Sequence, residues 1–78
     1  MIDYLDNILL NDEVIINKIT GEDLLKRRFL DLGFLPGKKV KCVLISPFKD
    51  PKAYKINESV IAIRNIDARN IEVTYERN

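Results

Sequence analysis

The sequence contains no histidine, no tryptophan, one cysteine and three glycines, and charged residues interrupt each of its hydrophobic stretches. Each shortage closes a class of function. Without histidine the chain lacks the usual general base at neutral pH and the commonest transition-metal ligand. A single cysteine excludes an intrachain disulfide framework, and Cys42 has no second thiol with which to form a redox pair. Glycine occurs only at 21, 33 and 37, so no phosphate-cradling loop is available, and the GxxxxGK[ST] pattern is absent. No apolar run approaches the roughly 18 residues of a membrane-crossing helix. Nor does the N-terminus join a basic region to an apolar run of signal-peptide length. A reducing, cytoplasmic setting is therefore expected, with any membrane role indirect.

What is present is a short chain of 78 residues, which we read as one domain over residues 1–78 with residues 1–10 as an N-terminal extension. A chain this small buries only roughly 60% of its unfolded surface, so its apolar residues are needed for the core rather than for a catalytic pocket. Acidic groups are available as metal ligands in Asp3, Asp6, Asp12 and Glu13, but they lack the glycine and ordered spacing of a calcium loop. We expect no enzyme activity, no cofactor and no direct iron site.

The net charge of +1 hides a division along the chain. Residues 1–23 carry six acids against Lys18, whereas residues 24–55 carry nine Lys and Arg against Asp31 and Asp50. Lys38, Lys39, Lys41, Lys49, Lys52 and Lys55 belong to this basic half. A basic patch attracts acidic proteins, nucleotides or nucleic acid without distinguishing among them, and its simplest reading is a solvated surface. Because no tryptophan is present and the aromatic residues do not interleave with the basic ones, a nucleic-acid stacking platform is not expected.

Local patterns outline the fold. Residues 1–10 place Ile2, Leu5, Ile8 and Leu9 at spacings that suit a short helix or an irregular segment laid on the body. Asn11-Asp12 signals a turn, and the β-branched run of residues 13–19 predicts a strand. Thr20, three residues before Asp23, predicts the N-cap of a helix over residues 21–32. At 100° per residue Leu24, Leu25, Phe29 and Leu32 fall within about 140° of one another, opposite Arg27 and Asp31. Gly33 supplies a positive φ to end the helix, Phe34 folds back onto its last turn, and Pro36-Gly37 fits the centre of a type II turn.

Residues 39–44 alternate polar and apolar, which predicts a half-buried strand with Val40, Cys42 and Leu44 on one side. Cys42 there reads as a buried, inert thiol. Pro47 and Pro51 remove backbone donors, so residues 46–51 form a surface loop. Two runs, 53–56 and 59–64, meet in a tight hairpin at Asn57-Glu58, and a helical turn over residues 65–70 precedes a last strand through Ile71, Val73 and Tyr75. Five strands of about five residues are too few for a sandwich. We expect a mainly β protein: a small SH3-like five-stranded barrel, with one α-helix between its first and second strands and a helical turn before its last.

Arg27-Arg28-Phe29-Leu30-Asp31-Leu32-Gly33-Phe34 followed by Pro36-Gly37, then Asp50-Pro51, then Ile61-Ala62-Ile63-Arg64 with Ala68 and Ile71, occur here in one order. With these blocks the whole chain resembles the FeoA family, the small cytoplasmic partner proteins of bacterial ferrous iron uptake. The resemblance implies the same barrel. It also implies a partner, the cytoplasmic part of a FeoB-type permease with its G-protein domain, whose assembly or nucleotide turnover the chain would modulate without catalysis of its own. One departure is Asn57-Glu58, where family members often read Arg-Gly.

The surface expected to dock combines the helix, the turn after it and the proline-containing loop. Arg27 has a local partner four residues on in Asp31, while Arg28 is freer to reach outward. Leu35 and Pro36 flank the turn, and Phe48, Lys49, Asp50 and Pro51 form the loop, with Phe48 as the apolar anchor. The alternative reading is an SH3-like regulatory or interaction module similar to the C-terminal domain of iron-dependent repressors. Self-association through an uncovered edge strand is compatible with either.

Overall fold

The computed structural model describes residues 1–75. Its elements run β1 (Ile2–Tyr4), a 3-10 turn (Leu5–Asn7), β2 (Glu13–Ile19), α1 (Asp23–Asp31), β3 (Lys39–Ile45), β4 (Lys52–Ile56), β5 (Ser59–Ile63), α2 (Asn65–Ala68) and β6 (Ile71–Tyr75). All the strands join one antiparallel sheet in the order β1-β6-β2-β3-β4-β5. This is the mainly β, SH3-like arrangement expected, with α1 inserted between β2 and β3 and α2 before the last strand. It has six strands rather than five. The difference is β1, which pairs Ile2 with Thr74 and Tyr4 with Glu72. Its three residues carry too little periodicity to betray a strand, and what holds them is β6, some 70 residues away in sequence.

Strand alternation builds the interior. Val14 and Ile16 of β2, Val40 and Cys42 of β3, Tyr54 and Ile56 of β4, and Ile71 and Val73 of β6 are all buried. Leu5 and Ile8 close one end of this cluster, and the Tyr54 hydroxyl donates to the Leu5 carbonyl at 3.2 Å. Two bulges interrupt the pairing, between Ile16 and Lys18 of β2 and between Cys42 and Leu44 of β3. The second overturns one expectation. Its extra residue turns Leu44 to solvent, 62% exposed, although strict alternation places it beside Cys42 in the core.

The helix ends as predicted and starts otherwise. Gly33, at φ 100°, donates to the Leu30 carbonyl at 3.0 Å, and Phe34 N–H donates to the Phe29 carbonyl at 2.9 Å. These are the two bonds of a Schellman motif, and the Phe29 and Phe34 rings meet edge to face at 5.6 Å. Lys38 N–H then donates to the Leu35 carbonyl across Pro36 and Gly37, the latter at φ 89°, giving the expected type II turn. Thr20, by contrast, does not cap α1. Gly21 at φ 97° turns the chain, Thr20 N–H and Oγ1 both donate to the Asn70 carbonyl, and the N-cap falls on Glu22 with no side-chain bond. The β2–β6 ladder has taken Thr20 as its extension.

Only part of the apolar face of α1 is covered. Phe29 is buried and Leu25 packs against the core, but Leu24 and Leu32 are exposed at 76% and 44%. The helix therefore rides on the sheet through Phe29 and Leu25.

Candidate functional site

All eight residues expected at a docking surface are exposed: Arg27, Arg28, Leu35, Pro36, Phe48, Lys49, Asp50 and Pro51. Arg27 and Arg28 project from α1. The predicted Arg27–Asp31 pair does not form among the described residues, where the ion pairs are Lys18–Glu72 at 3.9 Å and Arg64–Asp67 at 3.3 Å. Both arginines instead line a broad cleft of about 610 Å³ between α1 and α2, with Leu24, Ile66 and Arg69. Leu35 and Pro36 lie beyond the C-terminal end of α1, where Gly37 N–H donates to the Ile16 carbonyl. A small apolar hollow there is lined by Ile19, Leu30 and Pro36.

The loop of residues 46–51 is tied to α2. Asp50 Oδ1 accepts from Asn65 N–H at 2.9 Å, and Asn65 Nδ2 donates to the Lys49 carbonyl at 2.8 Å. Lys49 itself adopts φ 65°, and the Asp50–Pro51 peptide is cis. Asp50 thus works as the cap that α2 lacks in its own sequence, since the Arg64 side chain at the N-cap makes no capping bond to the helix backbone. The same loop leaves Phe48 92% exposed. A large aromatic side chain held in water by a braced loop has the form of an interface anchor.

The two arms of the candidate surface meet around Arg64. Arg64 lines a second groove with Arg28, and its neighbour Asn65 holds Lys49 and Asp50. Arg64 was not among the residues expected at the surface, because nothing in its local sequence shows that the end of β5 comes beside α1. Leu35 and Pro36 follow the same C-terminal end of α1 whose last turn carries Arg28.

Among the described residues, perturbed ionisation falls in the core, on β1 and at Tyr75 of β6, whose phenol is raised by burial and then by the charge of Asp3. Burial pushes the Cys42 thiol and the Tyr54 phenol above their ordinary values. The Asp3 carboxyl is held below its ordinary range, chiefly by the Asn7 side-chain amide and then by Tyr4 N–H. Neither the Cys42 thiol nor the Tyr54 phenol opens to a cleft, so neither is placed as a reactive group. Among the described residues no three His, Cys, Asp or Glu side chains converge as a metal site. The basic half of the chain yields a shallow depression where Lys39, Lys41 and Lys55 gather beside Glu13. No helix of the described residues is long and apolar enough to cross a membrane.

Comparison with known proteins gives this surface its context. A Porphyromonas gingivalis protein described as an Fe(2+) transport protein A/Fe(2+) transporter FeoB fusion is 34% identical over 62 residues, 80% of this chain. The chain spans only 7% of that relative's length. The solution structure of FeoA from Chlorobium tepidum is 26% identical and covers 94% of this chain and 70% of its own, with a TM-score of 0.87. FeoA from Stenotrophomonas maltophilia, solved with zinc and described as a prokaryotic SH3 domain protein, shares the fold at 22% identity, covering 92% of this chain and 89% of its own, TM-score 0.82. IdeR of T. acidophilum shares it at 24% identity over 96% of this chain and 34% of its own, TM-score 0.83. The FeoA domain family matches residues 4–75, nearly the whole sequence, and the chain belongs to that family.

Proposed function

We propose that this chain is a non-catalytic accessory protein of ferrous iron uptake that docks on the cytoplasmic part of a FeoB-type permease and modulates its assembly or G-protein activity. The observation that carries this reading is the relative in which an Fe(2+) transport protein A is joined to FeoB in one polypeptide. Fusion keeps two parts at high effective concentration, which is useful when they work in contact. The geometry fits a docking role: a rigid small sheet carries exposed Arg27 and Arg28 on a helix and exposed Phe48 on a braced loop, with Lys49, Asp50 and Pro51 around it. Leu35 and Pro36 extend the surface past the end of α1. The cytoplasmic location is part of this proposal. The repressor-like alternative rests on shared fold, since the likeness to IdeR is 24% identical and spans a third of that chain.

The test is capture of the purified cytoplasmic region of the permease by the immobilised chain, with GDP and with a GTP analogue. Binding at micromolar concentration is expected, weakened at least tenfold by Arg28→Glu and by Phe48→Ala, with both variants keeping the wild-type circular dichroism. No capture in either nucleotide state removes the proposal.

A further inference from the structure

The sheet order leaves two edges, β1 and β5, and they differ in kind. β1 is three residues long and carries Asp3, whose carboxylate accepts from Tyr4 N–H, Asn7 Nδ2 and the Tyr75 hydroxyl. A short strand bearing a charge is a blunted edge. β5 reads Ser-Val-Ile-Ala-Ile, five residues without a charge, a proline, a glycine or a bulge. Charge, proline and bulge, three of the usual devices against strand addition, are absent there.

Register tells which backbone groups this edge offers. Ile56 pairs with Ser59 across the two-residue turn at Asn57-Glu58, and Tyr54 with Ile61 and Lys52 with Ile63 follow in step. In an antiparallel hairpin closed this way, Ser59, Ile61 and Ile63 exchange bonds with β4, and Val60 and Ala62 point N–H and C=O outward. Beside them lies α1. Leu25, Phe29 and Leu32 of the helix and Ile61 of the strand give a groove of about 260 Å³ an apolar lining, and Arg28, Arg64 and Asp67 bring charge to it, two cations against one carboxylate. The volume is below the roughly 300–1,000 Å³ typical of small-molecule sites, which suits a length of main chain with one inserted side chain. Arg64 is shared with Asp67 at 3.3 Å, whereas the Arg28 guanidinium has no ion pair among the described residues.

We infer that β5 accepts an extended acidic segment of a partner protein as an added strand, its main chain bonding to Val60 and Ala62, an apolar side chain entering the groove and a carboxylate meeting Arg28. Backbone pairing supplies affinity in such complexes, and side-chain pockets beside the edge supply specificity. A second copy of this chain fits less well, because β5 itself carries no carboxylate to meet Arg28. The inference rests on the docking reading for the existence of a protein partner, and adds the mode and the surface.

The experiment titrates the isotope-labelled full chain with a synthetic capped peptide, Glu-Val-Glu-Val-Glu, and with its Lys-Val-Lys-Val-Lys counterpart, following backbone amides by NMR. The acidic peptide is expected to shift and protect Val60 and Ala62 and to perturb Arg28, and the basic one to do neither. Ala62→Pro removes an outward N–H without touching the β4 ladder, and is expected to lower the affinity at least tenfold while the spectrum remains that of the folded chain. Arg28→Glu is expected to reverse the charge preference. No shift at millimolar peptide, shifts confined to another surface, an Ala62→Pro variant that binds as the wild type, or β5 protection that grows with protein concentration alone would each overturn strand addition. Permease capture that survives Ala62→Pro, with the peptide failing, removes this inference and leaves docking intact. Peptide binding without capture does the reverse.

Discussion

Gly33 joins two parts of the molecule through one backbone angle. Its φ of 100° closes α1 and sends Phe34 back under Phe29, and a methyl group at its Cβ position would stand 3.1 Å from Asn57 Nδ2 of the β4–β5 turn. The left-handed conformation costs an L-residue about 1–2 kcal/mol. Gly33→Ala is therefore expected to lower stability by about that amount, plus whatever Asn57 loses in moving aside. Gly37 provides the control, since at φ 89° it has nothing within 4 Å of a Cβ and Gly37→Ala carries the conformational cost alone. Urea unfolding of both variants checks this: equal losses would show that the Gly33–Asn57 approach has no energetic weight. The glycine itself was readable in the sequence, because a helix stop followed by a hydrophobic residue is a local pattern. The neighbour that crowds it was not.

At the level of the element, α2 is a single turn that could not be expected to stand on its own. Its first N–H is capped from another part of the chain by Asp50, and Asn65 returns a bond to Lys49. Asp50→Ala is expected to cost about 1 kcal/mol, as loss of an N-cap does, and to free the loop that presents Phe48. Faster hydrogen exchange at the Asn65 amide and earlier proteolysis within residues 46–51 would show it; unchanged exchange at Asn65 would count against the capping role. This element also marks the limit of sequence reading. The end of α1, the Pro36-Gly37 turn, the hairpin at Asn57 and the buried Cys42 each depend on neighbours in sequence and were legible. β1, the bulge that turns Leu44 outward, the diversion of Thr20 to Asn70 and the Asp50 cap depend on partners 9 to 72 residues away, which a one-dimensional pattern does not display. The candidate surface divides the same way: exposure of the eight chosen residues followed from their loop and helix positions, while Arg64 and the open edge emerged only from strand order.

For the molecule as a whole, the core couples stability to alkaline pH through two groups that face each other across β3 and β4. Cys42 and Tyr54 are register partners, both fully buried, and burial is the first cause of the upward shift in each. Tyr54 is raised further by the charge an ionised Cys42 would carry. Since the folded values lie above the unfolded ones, the protons are held more tightly in the native state. Stability from this source is whole below the ordinary thiol value of 9.0 and is lost as pH rises past it, because the unfolded chain ionises first. The phenol follows from its ordinary value of 10.0. Between these values the loss approaches about 1.4 kcal/mol per pH unit for one proton. Urea midpoints measured from pH 7 to 11 are expected to stay level to about pH 9 and then fall. Cys42→Ala should lower the plateau, by the cavity it leaves, yet move the onset of the fall toward pH 10. A variant that began to lose stability at the same pH as the wild type would show that the thiol stays protonated in both states, or that the core opens before it can matter.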